Sequence, residues 1–346
     1  MTKIHLVLPA GYDDPHQPSG GNIYDQQLSA GLAELGWTVV GHEVPDAWPA
    51  PGPSIVGAVD RQFAHIPTDR VVVVDGLLGA AAATALVRHA DRLRLVALVH
   101  MPGLPGGPPE AVLRAVRLVV AASSWTARTL IERYGLPADK VIVAPPGAPD
   151  AEIAVGTATG AALLCVAAVT QQKGHDVLFT ALAGLPTKSW TCVCVGALDR
   201  EPGFVRGLRR VLTDSGIGER VHLTGPLIGP ELERAFAAAD VLVLPTRLES
   251  YGMVVTEALA RGLPVIATSV GGVPEAVGFA ADGRRPGIMV EPDDARALGA
   301  AIADWLGQPE VRDELRSVAR SRRTTLCRWP QTTTMISAAL TRLAAT

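Results

Sequence analysis

"DVLVLPTRLESYGMVVTEALARGLPVIATSV", residues 240–270, sets the fold class. "DVLVLPT" is an apolar, β-branched run that stops at Pro245, the signature of a buried strand. "MVVTEALARG" has the composition of a helix, closed by Gly262 with Pro264 just beyond. "GLPVIATSV" then returns to strand. The turn between the first strand and the helix, "RLESYG", carries Glu249, and Glu257 follows about one turn into the helix. The first helical turn, around Tyr251 to Val255, is expected to direct N–H groups that lack an intrahelical acceptor toward a site suited to phosphate.

The same alternation runs through the whole chain. "KIHLVLPA", "TVVGHEV", "RVVVVDGLL", "LRLVALVHMP", "RLVVAASS" and "KVIVAPPGA" form one series of strands. "ALLCVAAV", "TCVCVGAL", "RVHLTGPL", "DVLVLPT" and "GLPVIATSV" form a second. Amphipathic segments between them give the βαβ rhythm of parallel, doubly wound sheets. The expectation is an α/β protein of two Rossmann-like domains facing across a cleft, with the boundary in the Pro/Gly/Ala/Thr-rich stretch 144–160. The domains are drawn at 1–150, 151–325 and a closing helix, 326–346.

A chain of 346 residues exceeds what one hydrophobic core usually serves, in line with two domains. Hydrophobic residues at 48% against 19% charged exclude general disorder, and a net charge of -3 gives no global attraction to nucleic acid or anionic lipid. The longest apolar stretch, "VVVVDGLLGAAAATALV", is broken by Asp75 and suits a buried strand, turn and helix rather than a membrane span. With only a short apolar run at the N-terminus, the expectation is a cytoplasmic protein without an integral membrane segment. The four cysteines fit a reduced compartment. Cys192 and Cys194 are expected on opposite faces of a strand, with no further Cys or His at ligand spacing, so the cysteines read as buried small hydrophobes and not as metal ligands.

Two carboxylates flanking a helix start have a chemical use. A molecule with a diphosphate at the helix N-terminus and a hydroxylated ring on each side would meet one carboxylate at each ring. A nucleotide sugar has that form, and charge-assisted hydrogen bonds from its hydroxyls contribute ~1.5 to 3 kcal/mol each. In "VAAVTQQKGHDVLFTAL", Lys173 and Gly174 occupy the turn after a strand, and Lys173 is one of only four lysines in the chain. In "PSGGNIYDQQLSAGLAELGW", Gly20 and Gly21 precede an amphipathic helix and permit close backbone approach to a ligand. His100 ends the strand of "LVALVHMPG".

These stretches together resemble the retaining glycosyltransferases of family 4, which have the two-domain GT-B fold. "ESYGMVVTE" looks like the family's E-x7-E motif, "QQKGHD" its K-G loop, "SGGNIYDQQLSAGLAELGW" its N-terminal glycine loop and "KVIVAPPGAPD" its linker. The segment around Trp329 looks like the closing helix that crosses back to the first domain. The resemblance implies that Glu249 contacts the donor sugar and Glu257 the ribose. It places main-chain groups of Tyr251, Gly252, Met253 and Val254 on sugar and diphosphate. Lys173 and the Gly21 amide would meet the diphosphate, His100 the transferred sugar, and Gly225 and Leu227 the base. His100, Glu249 and Lys173 are the expected catalytic set.

The resemblance further implies retention and no metal or other cofactor, consistent with the absence of a D-x-D pair. One departure stands out: relatives place an Arg before the K-G loop where this chain has Ala168, and Arg247 is the candidate substitute on the diphosphate. The expected function is transfer of a sugar from a nucleoside diphosphate sugar, UDP before GDP, to a soluble small-molecule acceptor by front-face displacement. The first domain's loops 11–22 and 100–110 carry few charges and would hold a neutral acceptor. The alternatives are a nucleotide-sugar 2-epimerase of the same fold and a non-catalytic nucleotide-sugar binder.

Overall fold

The computed structural model describes residues 3–14, 19–46, 48, 50–103 and 107–345. The chain forms two compact units, Met1–Gly147 with Cys327–Thr346, and Ala148–Leu326. Each is built on one six-stranded sheet in which every recorded pairing is parallel.

In the first unit the strands are β1 (Lys3–Pro9), β2 (Thr38–Val44), β3 (Val71–Asp75), β4 (Arg94–Val99), β5 (Leu118–Ala121) and β6 (Val141–Val143), in the order β2-β1-β3-β4-β5-β6. β3 is buried along its whole length, as a central parallel strand covered on both faces must be. The C-terminal helix Trp329–Ala345 lies against the Gly20–Glu34 helix. A side chain at Gly31 would bring its Cβ within 2.6 Å of Thr333 Oγ1, and Trp37 Nε1 donates to Ser337 Oγ at 2.8 Å.

In the second unit β7 (Ala162–Val166), β8 (Thr191–Val195), β9 (Val221–Gly225), β10 (Val241–Leu244), β11 (Val265–Thr268) and β12 (Gly287–Val290) take the order β12-β11-β10-β7-β8-β9. Counted from the first strand of this unit, that is the 3-2-1-4-5-6 order of a Rossmann sheet. β12 was not anticipated. "GIMV" is four residues between Arg/Pro- and Glu/Pro-rich flanks, too short for a period to show, and only its pairing with β11 makes it a strand. Trp305 is fully buried in the core of this unit and its indole N–H donates to Gly160 O at 2.8 Å.

The cysteine expectation needs correction. Residues two apart in a strand share a face, and Cys192 Sγ and Cys194 Sγ lie 3.8 Å apart in the core. Register adds a third sulfur, because Cys165 on β7 is the direct partner of Cys194 on β8. His175 completes the cluster, its Nε2 3.7 Å from Cys165 Sγ. Sequence spacing could not show this, since strand pairing makes neighbours of residues 29 positions apart.

Candidate functional site

The topological switch point of a doubly wound sheet lies where neighbouring strands send their connections to opposite sides, and ligands collect at the carboxyl ends there. In the second unit that point is between β7 and β10. The loop after β7 carries Lys173 and the loop after β10 carries Glu249, and the two meet: Lys173 Nζ donates to Glu249 Oε2 at 2.5 Å. Both side chains are only partly exposed, 24% and 15%.

Glycines make this meeting sterically feasible. Gly174 follows Lys173 at φ 70° and passes so close to the β10 loop that a Cβ would fall 2.0 Å from Pro245 O. Gly271, φ 56°, passes Glu249 in the same way: its Cβ would lie 1.8 Å from Glu249 O. The next amide, Gly272 N–H, donates to that carbonyl at 3.0 Å. A Cβ at Gly272 would lie 2.1 Å from Ser250 O. The backbone of 245–252 is thus gripped on two sides, which sets the Glu249 main chain at the strand end, and Lys173 holds its carboxylate.

After the turn, Gly252 adopts φ 94° and caps the helix Met253–Ala260. The helix starts at Met253, so Tyr251 and Gly252 precede it, both buried, while Met253 and Val254 are half-buried. Val255 N–H already bonds Gly252 O. The amides of Met253 and Val254 have no partner within the helix and carry the positive end of its dipole. The helix closes at Gly262, φ 69°, with Gly262 N–H to Leu259 O and Leu263 N–H to Ala258 O, the paired bonds of a Schellman motif.

Glu257 is half-buried on this helix. Burial lifts its carboxyl above the ordinary range, with Arg261 drawing it down and Glu233 adding to the rise. A raised carboxyl is one that gains from a hydroxyl or cation brought to it. Arg261 itself pairs with Glu233 and stacks on Phe236, 4.4 Å from the ring centre. Gly225 ends β9 at φ 78° with open space where a Cβ would stand, and Leu227 follows it half-buried.

Arg247, the expected stand-in for a second diphosphate cation, is committed elsewhere. Its Nη1 and Nη2 grip Asp176 at 2.9 and 2.8 Å, its Nε donates to Asp293 at 2.6 Å, and Nη1 also donates to Gln171 O. Although burial works against the charge on Asp176, the guanidinium holds that carboxyl below the usual range. Arg247 therefore ties the K-G loop to the β10 loop. A guanidinium with four such bonds has little left to offer a phosphate.

In the first unit the switch point lies between β1 and β3. Gly21 opens the Gly20–Glu34 helix after β1, Asp75 ends β3, and His100 follows β4. A Cβ on Gly21 would stand 3.2 Å from His100 Cδ2, so the structure places these two expected residues side by side. His100 Nε2 lies 3.1 Å from Asp25 Oδ1 and 3.3 Å from Asp75 Oδ2. Sequence reading missed both aspartates. Asp25 looks like an ordinary helix-surface charge and Asp75 like a strand-end cap, and a carboxylate directly after four valines was the one available signal. The expected acceptor loops include residues 15–18 and 104–106, which lie outside the described residues.

A soft metal is the group to test against the Cys165, His175 and Cys194 cluster, whose ligand atoms lie within 4.8 Å of one another. A metal-bound imidazole ordinarily donates its other N–H to an acceptor, whereas buried His175 Nδ1 has no partner. The cluster fits core packing better than a metal centre.

Residues 160–308 match the family described as Glycosyl transferases group 1. The chain is 30% identical over 304 residues to D-inositol 3-phosphate glycosyltransferase 1 of Catenulispora acidiphila, covering 77% of this chain and 71% of that one. It is 29% identical over 337 residues to the GDP-mannose-dependent alpha-(1-6)-phosphatidylinositol monomannoside mannosyltransferase of Mycobacterium tuberculosis, covering 84% and 83%. Among solved structures, sucrose-phosphate synthase from Thermosynechococcus elongatus superposes over both full chains with a TM-score of 0.76 at 22% identity. HepE of Anabaena, in complex with UDP and glucose, gives 0.77 at 18% identity over 99% of this chain and 100% of its own. These likenesses assign the two-sheet architecture to the GT-B fold. With a relative at this identity over most of both lengths, the chain belongs to the group 1 glycosyl transferases and is a glycosyltransferase.

Proposed function

We propose that the enzyme moves a sugar from a nucleoside diphosphate sugar, UDP in preference to GDP, to a soluble small-molecule acceptor with retention and without a metal. The observation that carries this reading is the Lys173–Glu249 pair at the switch point of the second sheet. It sets a cation for phosphate beside a carboxylate for sugar hydroxyls, next to the first-turn amides of Met253 and Val254.

In this reading Glu257 holds the ribose, Gly225 and Leu227 border the base, and the main chain of Tyr251 to Val254 meets sugar and diphosphate. The Gly21 amide approaches the diphosphate and His100 the transferred sugar. As the donor bond breaks, negative charge grows on the leaving diphosphate. Preorganised amides and Lys173 stabilise it, and the diphosphate takes the acceptor's proton in a front-face displacement. No carboxylate is assigned as a covalent nucleophile.

The name of the mycobacterial relative specifies GDP-mannose, which weighs on the side of GDP, so the test sets UDP-sugars against GDP-mannose. Incubation of the protein with each donor and a panel of hydroxylated acceptors, followed by mass spectrometry, is expected to show release of UDP with transfer or slow hydrolysis. Binding without turnover of any donor would contradict the reading. Turnover unchanged in EDTA is expected, and loss restored by Mg²⁺ or Mn²⁺ would contradict metal independence.

A further inference from the structure

His100 has an unequal pair of ring nitrogens. Nε2 faces two carboxylates that are themselves almost fully buried, Asp25 at 1% and Asp75 at 3% exposure. Nδ1 makes no hydrogen bond among the described residues, and the side chain keeps 22% exposure. The carboxylates are also held. Asp75 uses its other oxygen to accept Leu77 N–H at 2.6 Å, capping the helix that follows β3. Asp25 sits on the Gly20–Glu34 helix beside Tyr24, whose ring meets the imidazole edge-on at 5.3 Å. The Tyr24 hydroxyl donates to Ala144 O at 2.9 Å. A side chain at position 21 would crowd the imidazole, since a Cβ there would stand 3.2 Å from Cδ2.

We propose that Asp25 and Asp75 are positioning residues that hold His100 as an imidazolium, so that its Nδ1–H is presented to the substrate as a hydrogen-bond donor and never as a base. Two acceptors on one nitrogen fix the proton there. The second proton, on Nδ1, is retained because removing it would leave two buried carboxylates facing a neutral ring. Burial opposes the charge on His100, yet the attraction and hydrogen bonds of Asp25 and Asp75 outweigh it and raise the group to about 10. Burial lifts Asp25 to about 7, with His100 opposing and Asp75 adding. Asp25 and Tyr24 from the helix and Asp75 from β3 are the titratable groups that the structure records against the ring.

The ligand atom at Nδ1 must then be an acceptor, a hydroxyl or phosphate oxygen. The part His100 plays in the reaction rests on the proposed glycosyl transfer. The bond from the anomeric carbon to the phosphate oxygen breaks, the bond to the acceptor oxygen forms, and the acceptor's proton passes to the phosphate. His100 gains and loses nothing.

The test is an NMR pH titration of the His100 imidazole in the ligand-free full-length protein, assigned by the His100→Gln variant. An imidazolium persisting through about pH 8 is expected, against an ordinary histidine that is mostly neutral there. A neutral ring at about pH 7.5 overturns the proposal, whatever the enzyme's substrate. In Asp25→Asn and Asp75→Asn, proton affinity is expected to fall at least about tenfold, one pKa unit. Between about pH 8 and 9, above the Asp25 titration, their kcat/KM should decline with rising pH while wild type holds steady. Folded variants with an unmoved titration would also overturn it. Donor turnover is read separately, so a failure of the glycosyl-transfer reading leaves the titration result standing.

Discussion

Lys173 and Glu249 neutralise each other across 2.5 Å, so under the proposed transfer a diphosphate reaching Lys173 would share or replace that contact. Lys173→Ala removes a charge-assisted contact of ~1.5 to 3 kcal/mol, roughly 10-fold to 150-fold in rate or affinity. It also leaves Glu249 without its cation. The expected outcome is a loss of at least about 100-fold in kcat/KM, and a change within about threefold would remove "QQKG" from the phosphate site. Arg247 already holds Asp176 and Asp293, so Arg247→Ala should act by loosening two loops and lower the unfolding midpoint along with activity. In the proposed roles, with Glu257 on the ribose and Glu249 on the transferred sugar, Glu257→Gln should raise KM more than it lowers kcat, because ribose contacts are similar in ground and transition states, whereas Glu249→Ala should lower kcat. Wild-type steady-state kinetics in both would remove the two carboxylates from the site. Glu249, Glu257 and Lys173 stand out chemically from their surroundings, so the sequence singles them out, and the structure brings Lys173 and Glu249 together. Asp25 and Asp75 were not legible in the sequence, because their meaning lies in a shared imidazole 25 or more positions away.

Among the elements, the strand–turn–helix at 240–262 was legible to within a residue or two, since Pro245, Gly252 and Gly262 punctuate it. What sequence did not reveal is why the turn is followed by Gly271-Gly272. These two residues pass within a missing Cβ of the Glu249 and Ser250 carbonyls. In Gly271→Ala, the new Cβ would meet a backbone atom that cannot yield, at φ 56° where a side chain is already strained. We expect a loss of more than about 2 kcal/mol in stability by urea unfolding, with kcat falling as Glu249 shifts. Gly207→Ala is the matched control. It lies in the exposed part of the Pro202–Asp214 helix with nothing within 4 Å of the new Cβ, and should stabilise by roughly 0.5 to 1 kcal/mol. Equal effects of the two substitutions would mean that the glycine contact does not position the turn.

For the whole molecule, the βαβ rhythm carried the fold class, while strand order and β12 had to come from the structure, because hydrogen-bonded pairing leaves no mark on local periodicity. Charge placement at this scale sets a pH response. Burial, followed by repulsion from His42, lowers His5 from 6.5 to about 4, and the two rings stack between β1 and β2 with centroids 5.1 Å apart. A histidine depressed in the folded state binds fewer protons there than in the unfolded chain between these values, so stability is lost as pH falls from about 6.5 to about 4. The urea midpoint of the first unit should drop over that window, and His5→Phe should flatten the drop; an unchanged slope would remove the pair as its cause. Whether Lys173, Glu249 and the helix start at Met253 serve sugar transfer with retention is decided by proton NMR of the first-formed product from an α-linked UDP-sugar or GDP-sugar. An α-configured product before any mutarotation is expected, and a first-formed β-anomer would contradict the assignment of these residues to a retaining transfer.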